Sequence, residues 1–327
     1  MNVEIGRDRY QVVDGFFQRP RGWTFVEVAD VGVDGDDNVY VFCRGTHPVM
    51  IFDKDGRFLD AWGEFGANYF TFPHGLSVGI DGFVYTADSR DHTVRKWTSD
   101  GKLVMTLGTA YQPAPVSTGK PFNRPSHATV ASNGDIYVSD GHGGARIHCF
   151  GPDGTLKFSW GAPGHGPGEF DTVHSVYVDH ADGDTIYAAD RFNNRVQFFR
   201  PDGTYLGEWA NLSMPQSVRK GPDGAFYVAE LPHRVTVLDR TGAVLARWGD
   251  GVEVDDSDGG AAAALPDAPA RDPMVRGRVR NEPGPGLFCM PHGIAVDSEG
   301  SFYVAEAAES WSGLDRGNRS IQKFVPR

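Results

Sequence analysis

The chain has 327 residues, 40% of them hydrophobic and 12% aromatic, with 42 Gly and 21 Pro. That suits a sizeable core built from short strands joined by turns, and leaves long helices scarce. Its 31 basic and 43 acidic side chains give a net charge of -12, which repels a phosphate backbone where no basic patch offsets it, so no nucleic-acid partner is expected.

The N-terminus, MNVEIGRDRY, lacks the apolar stretch of a signal peptide, and no run approaches the ~18 apolar residues that span a bilayer, so a cytoplasmic protein with no membrane partner is expected. The segment YQVVDGFF (Tyr10 to Phe17) then reads as an unattached strand. From Ala29 a phrase begins, ADVGVDGDDNVYVF, and it returns from His74, His127, His174, Gln216 and His292, each time as apolar strand, turn and second strand. Its anchors are Tyr40, Tyr85, Tyr137, Tyr187, Tyr227 and Tyr303. A third strand follows, such as RVQFFRPDG (Arg195 to Gly203) or RVTVLDRTG (Arg234 to Gly242), ending in a pair suited to a tight hairpin. A fourth often ends in Trp-Gly, as at Trp62-Gly63, Trp160-Gly161 and Trp248-Gly249.

Four short strands per repeat of about 40 to 50 residues define an all-β, six-bladed propeller. The last copy stops after its third strand, at IQKFVPR, so Tyr10 to Phe17 is expected to complete that blade and close the ring, removing an open sheet edge. One interval is too long: Tyr227 and Tyr303 are 76 residues apart, and the surplus lies in the Asp-, Ala-, Pro- and Gly-rich stretch 251–286. This is expected to be a loop over one face, a surface excursion or a lid, within a single domain spanning 1–327. The cysteines Cys43, Cys149 and Cys289 fit neither a disulfide framework nor a zinc knuckle and read as reduced, partly buried thiols.

Eleven to thirteen residues before the six anchors stand Ala29, His74, Ser126, His174, Gln216 and His292. With 11 histidines in the chain, histidine at three alternate positions arises by accident roughly once in ten thousand. On the inner strands of a closed ring these three converge on the axis. Three neutral imidazoles leave a fourth tetrahedral position open, as in catalytic zinc sites; manganese, iron or cobalt bind the same ligands, so zinc is a preference. Arg44 and Arg191 each follow an inner-region strand and suit a carboxylate-bearing small molecule. Asp88, Asp140, Asp190, Glu230 and Glu306 share that rim, and His142, between glycines in SDGHGG, is a candidate acid or base. His127 should face away from its neighbour Ser126, and His47, His92, His148, His165, His180 and His233 are expected to be solvated.

The repeats resemble NHL repeats, and VFCRGTH (Val41 to His47), PHGLSV (Pro73 to Val78), YVSDG (Tyr137 to Gly141), VHSVYV with AADR (Val173 to Arg191) and MPHGIAV (Met290 to Val296) resemble the catalytic core of peptidyl-alpha-hydroxyglycine alpha-amidating lyase, from about Val26 to Phe324. The resemblance implies a zinc propeller with His74, His174 and His292 as ligands, Arg44 and Arg191 as active-site arginines and Met290 near the metal. Two departures stand out. His142 falls where the family has its tyrosine base, and Gly293 falls where it has an aspartate that helps hold a structural calcium, which argues against calcium here. The implied reaction is C–N cleavage of a small carbinolamide or related alpha-hydroxy acid to an amide and an alpha-oxo acid. Metal-dependent hydrolysis of an amide, ester or lactone uses the same open position, and a non-enzymatic NHL interaction module is the third reading.

Overall fold

The computed structural model describes residues 9–64, 70–116, 118–231, 233–249, 254–255, 278–279 and 283–327. Six four-stranded antiparallel sheets make up the body. Their innermost strands are Val28–Val33, Pro73–Val78, His127–Val130, Val173–Asp179, Pro215–Lys220 and Pro291–Val296, which define blades 1 to 6. Each packs against the inner strands on either side, and Val28–Val33 meets Pro291–Val296 to complete the ring.

The burial of each strand follows from its place in its blade. Second strands such as Val39–Cys43 and Phe226–Glu230 are buried at every residue because neighbouring blades cover both faces, so they read as continuous apolar runs. Fourth strands such as Leu103–Leu107 and Tyr205–Trp209 alternate between partly buried and exposed, as half-covered strands do. The six anchor tyrosines are all buried between blades. Four of them donate their hydroxyl to the turn aspartate of their own hairpin: Tyr40 to Asp34 at 3.3 Å, Tyr85 to Asp81 at 2.7 Å, Tyr227 to Asp223 at 3.2 Å and Tyr303 to Asp297 at 3.1 Å. A large apolar ring with a satisfied polar tip explains why this position recurs as tyrosine. The glycine of Trp-Gly is needed where the fourth strand ends: Gly63 and Gly161 take φ of +90° and +103°, and an added Cβ would lie 2.7 Å from Phe70 and from Phe170 respectively.

Blade 6 takes its fourth strand from the start of the chain. Tyr10–Val13 pairs antiparallel with Ile321–Pro326, matching Tyr10 with Pro326 and Val13 with Lys323. The segment assigned to ring closure therefore does close it.

Three expectations are corrected. His148 and His233 are buried, not solvated: His148 lies on a third strand beneath a fourth one, its Nδ1 bonded to Ser159 Oγ at 2.7 Å, and His233, in the turn before a third strand, donates Nδ1 to the Cys289 carbonyl at 2.8 Å. The three cysteines are fully rather than partly buried, and burial pushes the Cys149 thiol up to about 11. The rim carboxylates are clamps: each lies buried at the end of a second strand and accepts backbone N–H groups from the chain entering the inner strand of its own blade. Asp140 takes Asn123 N at 2.9 Å, Asp190 takes Asp171 N at 2.8 Å, and Glu306 takes Cys289 N at 2.6 Å and Met290 N at 3.1 Å.

The expected lid or loop at 251–286 falls mostly outside the described residues. Within it, Val254–Asp255 pairs antiparallel with Arg278–Val279, and Gly286 N donates to Gln322 Oε1 at 2.9 Å.

Candidate metal centre

The local geometry that aims side chains at the axis is a bulge. In blades 1, 2, 4, 5 and 6 the pairing of first and second strands skips one residue, and the skipped residues are Ala29, His74, His174, Gln216 and His292. In blade 3, Ser126 N and His127 are both set against Ser139. Two residues against one bends the strand and re-aims its side chains.

His74, His174 and His292 arrive from blades 2, 4 and 6, all buried, with one ring nitrogen of each within 4.8 Å of the others. Their ring centroids are 4.6 to 4.9 Å apart. Blades 3, 5 and 1 supply what orients them: His74 Nδ1 donates to the Ser126 carbonyl at 2.8 Å, His174 Nδ1 to Gln216 at 2.9 Å and His292 Nδ1 to Ala29 at 2.6 Å. With the proton fixed on Nδ1, each Nε2 presents a lone pair to the shared space, the second-shell arrangement of metal-ligating imidazoles. His174 Nε2 is buried and has no hydrogen-bond partner among the described residues. Protonation is disfavoured: burial first, then the neighbouring imidazoles and Arg44, holds His74 well below the ordinary histidine range, and burial with Arg44 brings His292 to about 3. Three converging lone pairs kept neutral fit a divalent transition metal.

His142, on the loop after Asp140, reaches the same space, its Nε2 2.8 Å from His74 Nε2. Burial and the charge of Arg191 hold it well below the usual range, so it is a neutral imidazole. Arg191 is buried beside it, its guanidinium 4.4 Å from the Phe192 ring. Arg44 stacks on Phe72 at 3.8 Å, donates Nε to the Pro73 carbonyl and Nη1 to Ser310 Oγ, both at 3.0 Å, and pairs with Glu27 at 3.0 Å. It lines an open cleft with Glu27, Phe70, Phe72 and Ser310. Met290 sits two residues before His292 in a small apolar cluster with Leu231, Cys289 and Ala308.

Several site residues escaped the sequence reading. Two positions before the axial ring stand Glu27, Arg124, Thr172 and Met214, all with left-handed backbone (φ 41° to 67°), which turns the chain inward on the site face. Glu27 and Ser310 brace Arg44, and Arg124 adds positive charge beside His142. The expectation for His127 is overturned. The bulge turns it inward, with Nε2 3.5 Å from Asp30 Oδ2 and 2.8 Å from Arg219 Nη2. Asp30, His127 and Arg219 come from blades 1, 3 and 5 and form a second axial layer beneath the histidines. Where Gly293 lacks a side chain, an added Cβ would lie 2.2 Å from Asp30 Oδ1, so Asp30 fills that space from the adjacent blade.

These features define a six-bladed propeller with a buried tri-histidine centre on its axis. The NHL repeat family model matches residues 70–97 and 288–311. NHL repeat-containing protein 3 of Homo sapiens is 31% identical over 306 residues, covering 88% of this chain and 76% of that protein. The chain belongs to the NHL-repeat family that includes it, and it is homologous to the amidating lyase domains: peptidyl-alpha-hydroxyglycine alpha-amidating lyase 1 of Drosophila melanogaster is 34% identical over 159 residues, covering 45% of this chain and 29% of that protein. A solved streptogramin B lyase shares the fold, with a TM-score of 0.59 at 15% identity and 98% of each chain covered. Among the described residues no helix is long and apolar enough to cross a membrane.

Proposed function

We propose that the protein is a metal-dependent lyase that cleaves the C–N bond of a small carbinolamide, an N-acylated alpha-hydroxy amino acid, to an amide and an alpha-oxo acid. The observation that carries this is the convergence of His74, His174 and His292, each held by a backbone carbonyl so that Nε2 faces a common point beside His142. Homology to the amidating lyases supports the reaction class.

A zinc ion or related divalent metal held by these three nitrogens supplies Lewis-acid polarisation of a substrate oxygen. Arg44 and Arg191, placed by Glu27, Ser310 and Phe192, hold the substrate carboxylate on the cleft side. His142, neutral in this environment, accepts the substrate hydroxyl proton. The O–H electron pair forms the new carbonyl bond, the C–N bond breaks, and the amide nitrogen leaves with the C–N bonding pair and takes a proton back from His142.

The test is elemental analysis of purified protein followed by turnover of an N-acyl-alpha-hydroxyglycine in ¹⁸O-labelled water. The expected result is one divalent metal per chain and equimolar amide and glyoxylate, with no label entering the amide. Label in a carboxylic acid product would favour the hydrolase, and protein purified without metal and inert with or without added zinc would favour the interaction module.

A further inference from the structure

The inner strands continue past both axial layers, and their far ends line an open funnel, a concave setting of the kind in which small molecules bind. Its wall carries five valines at equivalent positions in blades 1, 2, 3, 4 and 6, namely Val33, Val78, Val130, Val178 and Val296. Its charged lining is Arg219, Lys220 and His180, with no carboxylate. Two of these are already matched: Lys220 pairs with Asp179 at 2.7 Å, and His180 with Asp184 at 2.9 Å. Arg219 is not. Its Nη1 donates to the Val218 carbonyl at 2.7 Å and its Nη2 to His127 at 2.8 Å, and no carboxylate among the described residues lies within 4.0 Å of it. In a chain of net charge -12, this is a half-buried cation at the end of an apolar-walled cavity, fixed on two sides with N–H groups left over.

We propose that the funnel is a second binding site, separate from the metal centre, for a small organic monocarboxylate whose head sits on Arg219 and whose apolar body lies along the valine ring. A cation with no carboxylate in contact has room for a single negative head, and the valines on the wall favour an apolar body over the strongly hydrated phosphate ion. Because Arg219 is already anchored by His127 and Val218, little side-chain freedom is lost on binding. Arg44 belongs to the other face, beyond the histidine ring and the Asp30–His127–Arg219 layer, so the two sites bind independently.

Hexanoate and inorganic phosphate are titrated calorimetrically into the full chain as purified. Hexanoate is expected to bind at a saturable site that persists in Arg44→Gln, and more tightly than phosphate. Arg219→Met should weaken hexanoate at least about thirtyfold, since removing one partner of a hydrogen-bonded charge pair costs ~2 kcal/mol or more. Ile80 lines the rim and is 60% exposed, so Ile80→Glu places a repelling carboxylate there without touching the core; it should weaken hexanoate severalfold even if Arg219→Met does not fold. Arg44→Gln should leave hexanoate affinity within twofold. No binding at 10 mM, tighter binding of phosphate, insensitivity to Ile80→Glu, or dependence on Arg44 would each overturn the proposal.

Discussion

Glu306 offers the sharpest test of how the blades hold the centre. Its carboxylate is fully buried; one oxygen accepts Cys289 N at 2.6 Å and Met290 N at 3.1 Å, and the other faces Arg316 and takes Gln322 Nε2 at 3.3 Å. Glu306→Gln keeps the volume and removes the charge. If the amide oxygen stays toward Cys289 and Met290, its NH2 faces the buried guanidinium; if it flips, the NH2 faces two backbone donors. Either way a buried donor opposes a donor, and Arg316 loses its counter-charge. Breaking a buried pair from one side costs roughly 3–5 kcal/mol, a midpoint shift of about 1 M or more in urea at an m value of ~3 kcal/mol/M. Met290 leads directly into His292, so metal should also dissociate faster. Denaturation of wild type, Glu306→Gln, Arg316→Met and the double variant reads the coupling, and the double variant should recover part of the loss. A single-variant cost under about 1 kcal/mol, with unchanged metal dissociation, would refute the clamp.

Gly75→Ala would place a Cβ 2.3 Å from the Ser126 carbonyl that orients His74; it should destabilise by ~1–3 kcal/mol and lower metal affinity in a chelator competition, and equal affinity would separate carbonyl from ligand. His74→Ala and His292→Ala should each abolish metal content and turnover, measured by mass spectrometry and glyoxylate release; a metal-free variant with full activity would sink the lyase reading. Arg191→Lys should lower kcat/KM by tenfold or more for a carboxylated substrate and far less for its amide, because lysine loses the bidentate fork. Asp30 is raised from 3.8 to about 7, mainly by burial, against the attraction of Arg219. Its folded-state pKa exceeds the unfolded one, so the stabilisation is complete below about pH 4 and is lost as pH rises to 7, by up to about 4 kcal/mol at ~1.36 kcal/mol per unit. Asp30→Asn should flatten that slope in denaturant titrations at pH 5 and 8; identical slopes would show that Asp30 is ionised in the fold throughout.

The blades were legible because each tyrosine anchor sits at a fixed distance from its turn and its strands, and the histidine trio because its spacing follows the same count. His127 was misplaced because strict alternation holds for a regular strand, and each inner strand begins with a bulge that no residue type announces. Glu27 was invisible for a different reason. Blade 1 has Cys43 where the other blades carry a clamp carboxylate, and the acid beside Arg44 comes instead from the chain entering the inner strand. His148 and His233 looked solvated because their burial depends on partners away from them in sequence, the fourth strand laid over His148 and the chain at Cys289 beside His233.

The pairing of Tyr10–Val13 with Ile321–Pro326 also sets an order of assembly. During synthesis the earliest strand emerges more than 300 residues before its partner, so blades 1 to 5 can form locally while this strand waits. The loop it eventually closes is the longest in the molecule, and closure entropy grows only with the logarithm of length, so the wait costs little equilibrium stability. It does delay the moment at which the axis is sealed. His292 and Ala29 meet at the junction of blades 6 and 1, so the complete set of three imidazoles forms only once blade 6 docks on blade 1, and a nascent chain arrested before blade 6 has just two of them in place.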